Sequence, residues 1–185
     1  MSPTPPHDNT DHPVTVRPSG IEGRGVFAAR RFDTGDVILR IAHNSIVDSP
    51  EDIPESWRDL WHWIDNLPNG RLLLMDEPER YINASCDPTA YTRFTGDTCE
   101  VVARRPLHPG DEITTDYMIT THNEPAWPCR CGAPRCRIQN PTSFFELPDA
   151  FLREYEPLLH DWFIAEHPDE YRAMCKRLNI QPRTS

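Results

Sequence analysis

The sequence predicts a mostly β (α+β) fold built from short strands, on three observations. From Val14 to Tyr117 brief apolar segments alternate with turn residues. Twenty prolines in 185 residues break the chain too often for long helices. Helical periodicity is confined to one central stretch and to the C-terminal end.

Residues 1–13 hold four prolines, two histidines and no apolar period, which predicts a disordered, dispensable leader. Val14–Val16, Gly25–Ala29 and Asp36–Ile41 then read as strands. Gly20, Gly23, Gly25 and Gly35 lie between them, marking tight turns or close backbone approach. Pro54 opens a stretch in which Trp57, Leu60, Trp61 and Ile64 fall at i, i+3, i+4 and i+7, predicting a helix over about 54–67. Ala90–Phe94 and Thr98–Ala103 flank Thr95-Gly96-Asp97 and predict a β-hairpin. Glu112–Tyr117 follows Pro109-Gly110 as a further strand. Beyond a Cys-rich segment, Phe151, Tyr155, Leu158, Leu159, Trp162 and Phe163 keep a 3.6-residue period, and a second short helix follows Pro168.

At 185 residues the chain favours one domain with short appendages. Twenty-nine acidic against nineteen basic residues give a net charge of −10, the wrong sign for direct binding of nucleic acid through its phosphates. An acidic surface suits a basic or Lys-containing protein or peptide. Only Lys176 among the basic residues is a lysine. No apolar run approaches the ~20 residues that span a bilayer, and no signal peptide is evident, so a cytoplasmic location is expected. Nothing in the sequence specifies an oligomeric state.

Six cysteines in a reducing compartment point to metal or free thiols rather than disulfides. Cys129, Cys131 and Cys136 form a C-x-C-x4-C cluster, in which three thiolates would repel one another unless a cation neutralised them. A structural zinc site needs a fourth ligand, from Cys86, Cys99, Cys175 or a histidine. Two other segments stand out: Arg80-Tyr81-Ile82-Asn83-Ala84-Ser85-Cys86-Asp87-Pro88, and Gly110 to Tyr117, a turn feeding a strand that ends in tyrosine.

Taken in order, Gly23-Arg24-Gly25, Arg80 to Pro88, Arg105 to Tyr117 and Cys129 to Cys136 resemble the SET-domain protein lysine methyltransferases with a post-SET zinc segment, of the small stand-alone bacterial type. The likeness covers about residues 14–146. It implies a β-clip fold with a pseudoknot, divided into a SET domain over 14–120, a post-SET zinc segment over 121–146 and a C-terminal helical extension over 147–185. It implies S-adenosylmethionine as cofactor, held by Gly23, Arg24, Gly25, Arg80, Asn83 and the backbone of Ala84, with the glycines' missing Cβ letting it approach. It implies structural Zn²⁺ held by Cys86 with Cys129, Cys131 and Cys136. Tyr117 falls on the family's catalytic tyrosine, a phenol of pKa ~10 that orients the reacting atoms while protonated.

The sequence departs from the family's pattern at three positions. Ala84 stands where a histidine is usual, Thr115 where Phe or Tyr commonly limits how many methyl groups fit, and Thr89 where Asn is usual. The expected function is methyl transfer to the side-chain amine of a protein lysine. The rivals are methylation of a small amine or amino acid, and a non-catalytic SET-like module that binds a partner. A zinc hydrolase lacks the necessary histidine and carboxylate cluster. Trp57, Trp61, Trp162 and Phe163 are expected in the core, Cys99 and Cys175 as buried free thiols, and Phe144 or Phe145 either packs or covers the cofactor or the lysine channel.

Overall fold

β-Branched and aromatic residues between turn signals favour extended backbone, and the computed structural model places strands at the expected positions: β1 (Val14–Pro18), β2 (Arg24–Ala28) and β3 (Val37–Ile41). It describes residues 12–41, 46–57, 64–95 and 98–183. Nearly all of the leader, the centre of the predicted 54–67 helix with Leu60 and Trp61, and the tip of the hairpin at Gly96 and Asp97 lie outside the described residues.

β1 and β2 form an antiparallel hairpin, from Val14 opposite Ala28 to Pro18 opposite Arg24. The far edge of β2 pairs antiparallel with β10 (Glu112–Thr115), and β10 pairs in parallel with the two-residue strand β7 (Asn83–Ala84). The sheet order β1-β2-β10-β7 therefore sets Thr114 beside Asn83 and Thr115 beside Ala84. A second sheet contains β3, β9 (Thr98–Ala103) and β8 (Ala90–Thr95), the last two being the predicted hairpin. A third small sheet joins β4 (Ile46–Val47), β6 (Leu72–Leu74) and β5 (Ile64–Asn66).

The predicted 54–67 helix is corrected where it is described. Glu55–Trp57 is a single 3-10 turn, and Ile64 is a strand residue opposite Leu74. A short apolar spacing of this kind fits helix and strand alike, and the run Leu72–Leu74 recruits Ile64 as a partner. At the C-terminus the periodic stretch does form helices: α1 (Asp149–Tyr155), α2 (Asp161–Glu166) and α3 (Pro168–Leu178). Pro157, which has no N–H to donate, lies in a 3-10 turn between α1 and α2. Asn179 ends α3 in the left-handed conformation, its N–H donating to the carbonyls of Cys175 and Lys176. Among the described residues, no helix is long and apolar enough to cross a membrane.

Two hydrophobic clusters result. One, built from Val26, Phe32, Ile38, Val101, Leu107 and Ile113, lies among the sheets. The other packs the C-terminal helices through Leu152, Tyr155, Phe163 and Leu178 against Cys86, Met118 and Phe144. Cys86 and Met118 carry the segments holding Asn83 and Tyr117 into that second core, so the C-terminal helices buttress the face where those residues meet.

Candidate functional site

Asn83, Ala84 and Tyr117 converge because β7 pairs with β10, whose chain runs on through Asp116 into a 3-10 turn, Tyr117–Thr120. They line a cavity of about 260 Å³ with Ile21, Glu22, Trp127 and Asn140. The Asn83 side-chain amide donates to the carbonyls of Glu22 at 3.2 Å and Arg24 at 3.0 Å, and to Glu112 Oε1 at 2.9 Å. With the amide hydrogens committed to the Glu22–Arg24 turn and Glu112, Oδ1 is the atom offered to the cavity. Ser19 Oγ donates to the same Glu112 oxygen at 2.7 Å.

Gly23 and Gly25 serve the turn in different ways. Gly23 has φ of +45°, a conformation that side chains disfavour. A Cβ on Gly25 would collide with the Glu112 carboxylate and meet Ser19 Cβ at 3.0 Å. The bare Cα of Gly25 thus makes room for Glu112, which in turn anchors Asn83. Arg24 lies over the Tyr81 ring, 4.5 Å from its centroid. Arg80 turns its guanidinium to Glu77 and to the Tyr81 hydroxyl, so the cavity's walls include Asn83 and Ala84 of the expected set, with Gly23, Arg24 and Gly25 behind them as backbone support.

Tyr117 is 47% exposed, its ring open to the cavity, while its hydroxyl donates to the Ile82 carbonyl. Burial of the oxygen, with the negative charges of Asp65 and Glu22, pushes its pKa above the ordinary phenol value. It is a neutral hydrogen-bonding group at physiological pH. Burial also pushes the Asp65 carboxyl up to about 6, against the Asn66 N–H that it accepts.

Cys86, Cys129, Cys131 and Cys136 bring their sulfurs within 4.8 Å of one another, with Cys86 Sγ and Cys129 Sγ 3.5 Å apart. Four thiolates on one zinc ion at ~2.3 Å stand about 3.8 Å apart, so the donor set fits that ion. The strands β11 (Trp127–Pro128) and β12 (Gln139–Asn140) pair antiparallel and close the cysteine loop. Backbone N–H groups of Cys86, Arg137 and Ile138 donate to Cys131, Cys86 and Cys136 sulfurs at 3.3–3.4 Å, an arrangement that favours thiolates. Burial raises the pKa of Cys131, but the amides of Cys86 and Ala133 and the neighbouring thiols bring it down to about 7. Burial pushes Cys86 and Cys129 up.

Of the remaining expectations, Cys99 and Cys175 are buried free thiols. Phe144 is buried in the second core and Phe145 stacks on Phe163 at 5.6 Å, so both pack. Phe163 is core, while Trp57 and Trp162 are half-buried. Sequence reasoning missed Glu22, Glu112, Trp127 and Asn140. Only Glu112 had a local signal, since it lies within the Gly110–Tyr117 motif.

The SET domain family model matches residues 23–118. The chain belongs to the SET domain family. Among curated relatives, a Cryptococcus neoformans histone-lysine N-methyltransferase, H3 lysine-4 specific, is 30% identical over 132 residues, covering 64% of this chain and 9% of that protein. Human histone-lysine N-methyltransferase 2B is 30% identical over 135 residues, covering 67% of this chain and 5% of that protein. Drosophila melanogaster histone-lysine N-methyltransferase Set2 is 40% identical over 62 residues, covering 31% of this chain and 3% of that protein. The chain thus spans less than a tenth of the length of these relatives. A crystal structure of a candidate histone methyltransferase from Plasmodium falciparum is similar, with a TM-score of 0.46, 23% identity, and coverage of 56% of this chain and 91% of that one.

Proposed function

We propose that this SET domain is a protein lysine methyltransferase that uses S-adenosylmethionine. The observation that carries the reading is the convergence of Asn83, Ala84 and Tyr117 on one cavity. Family membership and relatives that are histone-lysine methyltransferases support it.

The cofactor, when bound, supplies a methyl group already activated on a sulfonium. Asn83 Oδ1 and the backbone near Ala84 would hold its amino acid portion, and Trp127 offers a flat apolar wall to its ring system. The donor chemistry fits: an amide oxygen accepts from an ammonium. Tyr117, kept neutral and tied to Ile82, orients the incoming amine by hydrogen bonding. Glu22 and Asp65 make the tyrosine's surroundings negative and draw a cationic side chain inward, after which desolvation beside a second cation favours loss of its proton. Positioning is most of the catalysis for such a transfer. The zinc reading assigns Cys86, Cys129, Cys131 and Cys136 a structural ion; four thiolates leave no open position for water. The net charge of −10 suits a basic, lysine-bearing peptide as substrate.

The test is calorimetric titration of zinc-loaded protein with S-adenosylmethionine, beside Asn83→Ala, followed by mass spectrometry of basic peptides that carry a lysine or an arginine in its place. Micromolar binding lost in Asn83→Ala, with methylation of the lysine peptides alone, is the expected result. Folded protein that binds no cofactor overturns the reading in favour of a partner-binding module. Methylation of free lysine but of no peptide would assign a small amine substrate. The chain's only lysine, Lys176, limits self-methylation to one site, which Lys176→Arg removes.

A further inference from the structure

Arg137 joins the cysteine cluster to the turn that bears Tyr117. It follows Cys136 in the chain, and its backbone N–H donates to Cys86 Sγ at 3.3 Å. Its guanidinium grips Asp116 with two prongs, Nη1 to Oδ2 at 2.6 Å and Nη2 to Oδ1 at 2.8 Å. Nε and Nη2 also donate to Asn140 Oδ1, at 3.0 and 2.8 Å. The ion pair is closed to solvent, with side-chain exposures of 6% for Arg137 and 2% for Asp116.

Of the two partners of that guanidinium, Asn140 lines the cavity itself and Asp116 lies behind it, next in the chain to the lining residue Tyr117. Asp116 immediately precedes Tyr117 and caps its 3-10 turn, Oδ1 accepting from Met118 N at 3.1 Å. Thr121 Oγ1 closes the turn on the Tyr117 carbonyl at 2.8 Å. Asn140, in β12, lines the cavity. A buried ion pair adds little net stability over apolar side chains of the same size. What a planar fork on a carboxylate does fix is distance and orientation.

We propose that Arg137 is a positioning residue: by clamping Asp116 and Asn140 from within the metal-binding loop, it holds Tyr117 in register with the cofactor cavity, so that order in the cysteine cluster becomes order in the active site. The turnover arm of its test rests on the methyltransferase reading; the spectroscopic arm does not.

The test uses the zinc-loaded full chain with 3-fluorotyrosine at its five tyrosines, the Tyr117 fluorine line being identified by its loss in Tyr117→Phe. Arg137→Lys keeps the charge and loses the fork. Zinc content is expected to stay at the wild-type level and the cofactor Kd to rise no more than about threefold, while kcat falls about 10- to 100-fold, the usual cost of disturbing a supporting shell. The peptide KM is expected to change little, and the Tyr117 line to shift or broaden while those of Tyr81, Tyr91 and Tyr171, which lie away from the ion pair, stay in place. Wild-type kcat overturns the proposal, and so does a loss of kcat with an unmoved Tyr117 line. If Arg137→Lys fails to fold, the pair Asp116→Asn with Arg137→Gln removes both charges and strands neither. That pair is expected to fold with the same loss and the same displaced line, and wild-type turnover in it overturns the proposal equally. If wild-type protein methylates no peptide, the fluorine spectrum decides alone: a displaced Tyr117 line upholds the positioning role although the methyltransferase reading has failed.

Discussion

Cys86 and Cys129 stand 43 positions apart in the chain, yet their sulfurs lie 3.5 Å apart. The contact ties the loop after β7 to the segment after β11, and both pack on the C-terminal helices. An ion held there links the first two directly, and its binding energy is energy of folding. The purified protein is expected to carry one zinc per chain by elemental analysis. Chelation, or Cys86→Ala, is expected to lower Tm by on the order of 10 °C. A metal-free protein with an unchanged melt after chelation would sink the assignment.

Thr89, which departs from the Asn that the resemblance implies, laces β10 to the loop before β8. Its hydroxyl donates to the Glu112 carbonyl at 2.9 Å and accepts from Thr114 N at 2.8 Å. Thr89→Val keeps the shape and strands both backbone groups, so a loss of about 1–3 kcal/mol is expected in denaturant unfolding. Because β10 leads into Asp116 and Tyr117, cofactor affinity should weaken as well. A ΔΔG near zero would mean that water replaces the hydroxyl at no cost.

These two pairs mark where the sequence was readable and where it was not. The C-x-C-x4-C spacing is local and visible on its own, whereas the choice of Cys86 over Cys99 and Cys175 depends on the pairing of β7 with β10, which no local pattern encodes. The β8–β9 hairpin was legible because Val, Thr and aromatic residues flank a turn signal. The 54–67 helix was misread at both described ends because its apolar spacing is short and the competing partner, Leu72–Leu74, is not adjacent in sequence. Gly25 was legible as a close approach, but the group that approaches it is Glu112. Arg80, implied by the motif for the cofactor pocket, donates to Glu77 and to the Tyr81 hydroxyl beside it, two partners within its own segment.

His160 gives the fold a pH dependence with a definite sign. It is buried and T-shaped against Phe94, and its Nε2 lies 3.0 Å from the Thr92 carbonyl, to which it must donate. Nδ1 is therefore a bare acceptor, and it is buried without a partner. Burial, outweighing the Thr92 hydrogen bond, pushes the pKa below the ordinary imidazole value of 6.5. The unfolded chain then takes up more protons than the folded one as pH falls below 6.5. The stability owed to a neutral His160 is complete above that pH and is lost as pH falls toward the folded pKa. His160→Gln keeps a donor for Thr92 without titrating, and is expected to lessen the fall in Tm between pH 7 and pH 5 relative to wild type. Parallel pH profiles for the two proteins would show that His160 does not contribute.

On the proposed methyltransferase reading, Thr115 bears on how many methyl groups are added. It is buried, lies two residues before Tyr117, and is the register partner of Ala84, a wall of the cavity. Neighbours in register direct their side chains to the same face of a sheet, so two small side chains adjoin there, at positions where the family's pattern has histidine and commonly Phe or Tyr. A methylated amine is bulkier than the free one and needs that space at each further round. Wild-type protein is therefore expected to transfer more than one methyl group to a lysine peptide in a mass-spectrometric time course. Thr115→Phe is expected to stop after the first, with the initial rate of monomethylation falling less than about tenfold, because no atom touching the cofactor has changed. Strict monomethylation by the wild type would count against this reading of the pocket, and continued di- and trimethylation by Thr115→Phe would show that the limit on product is set elsewhere.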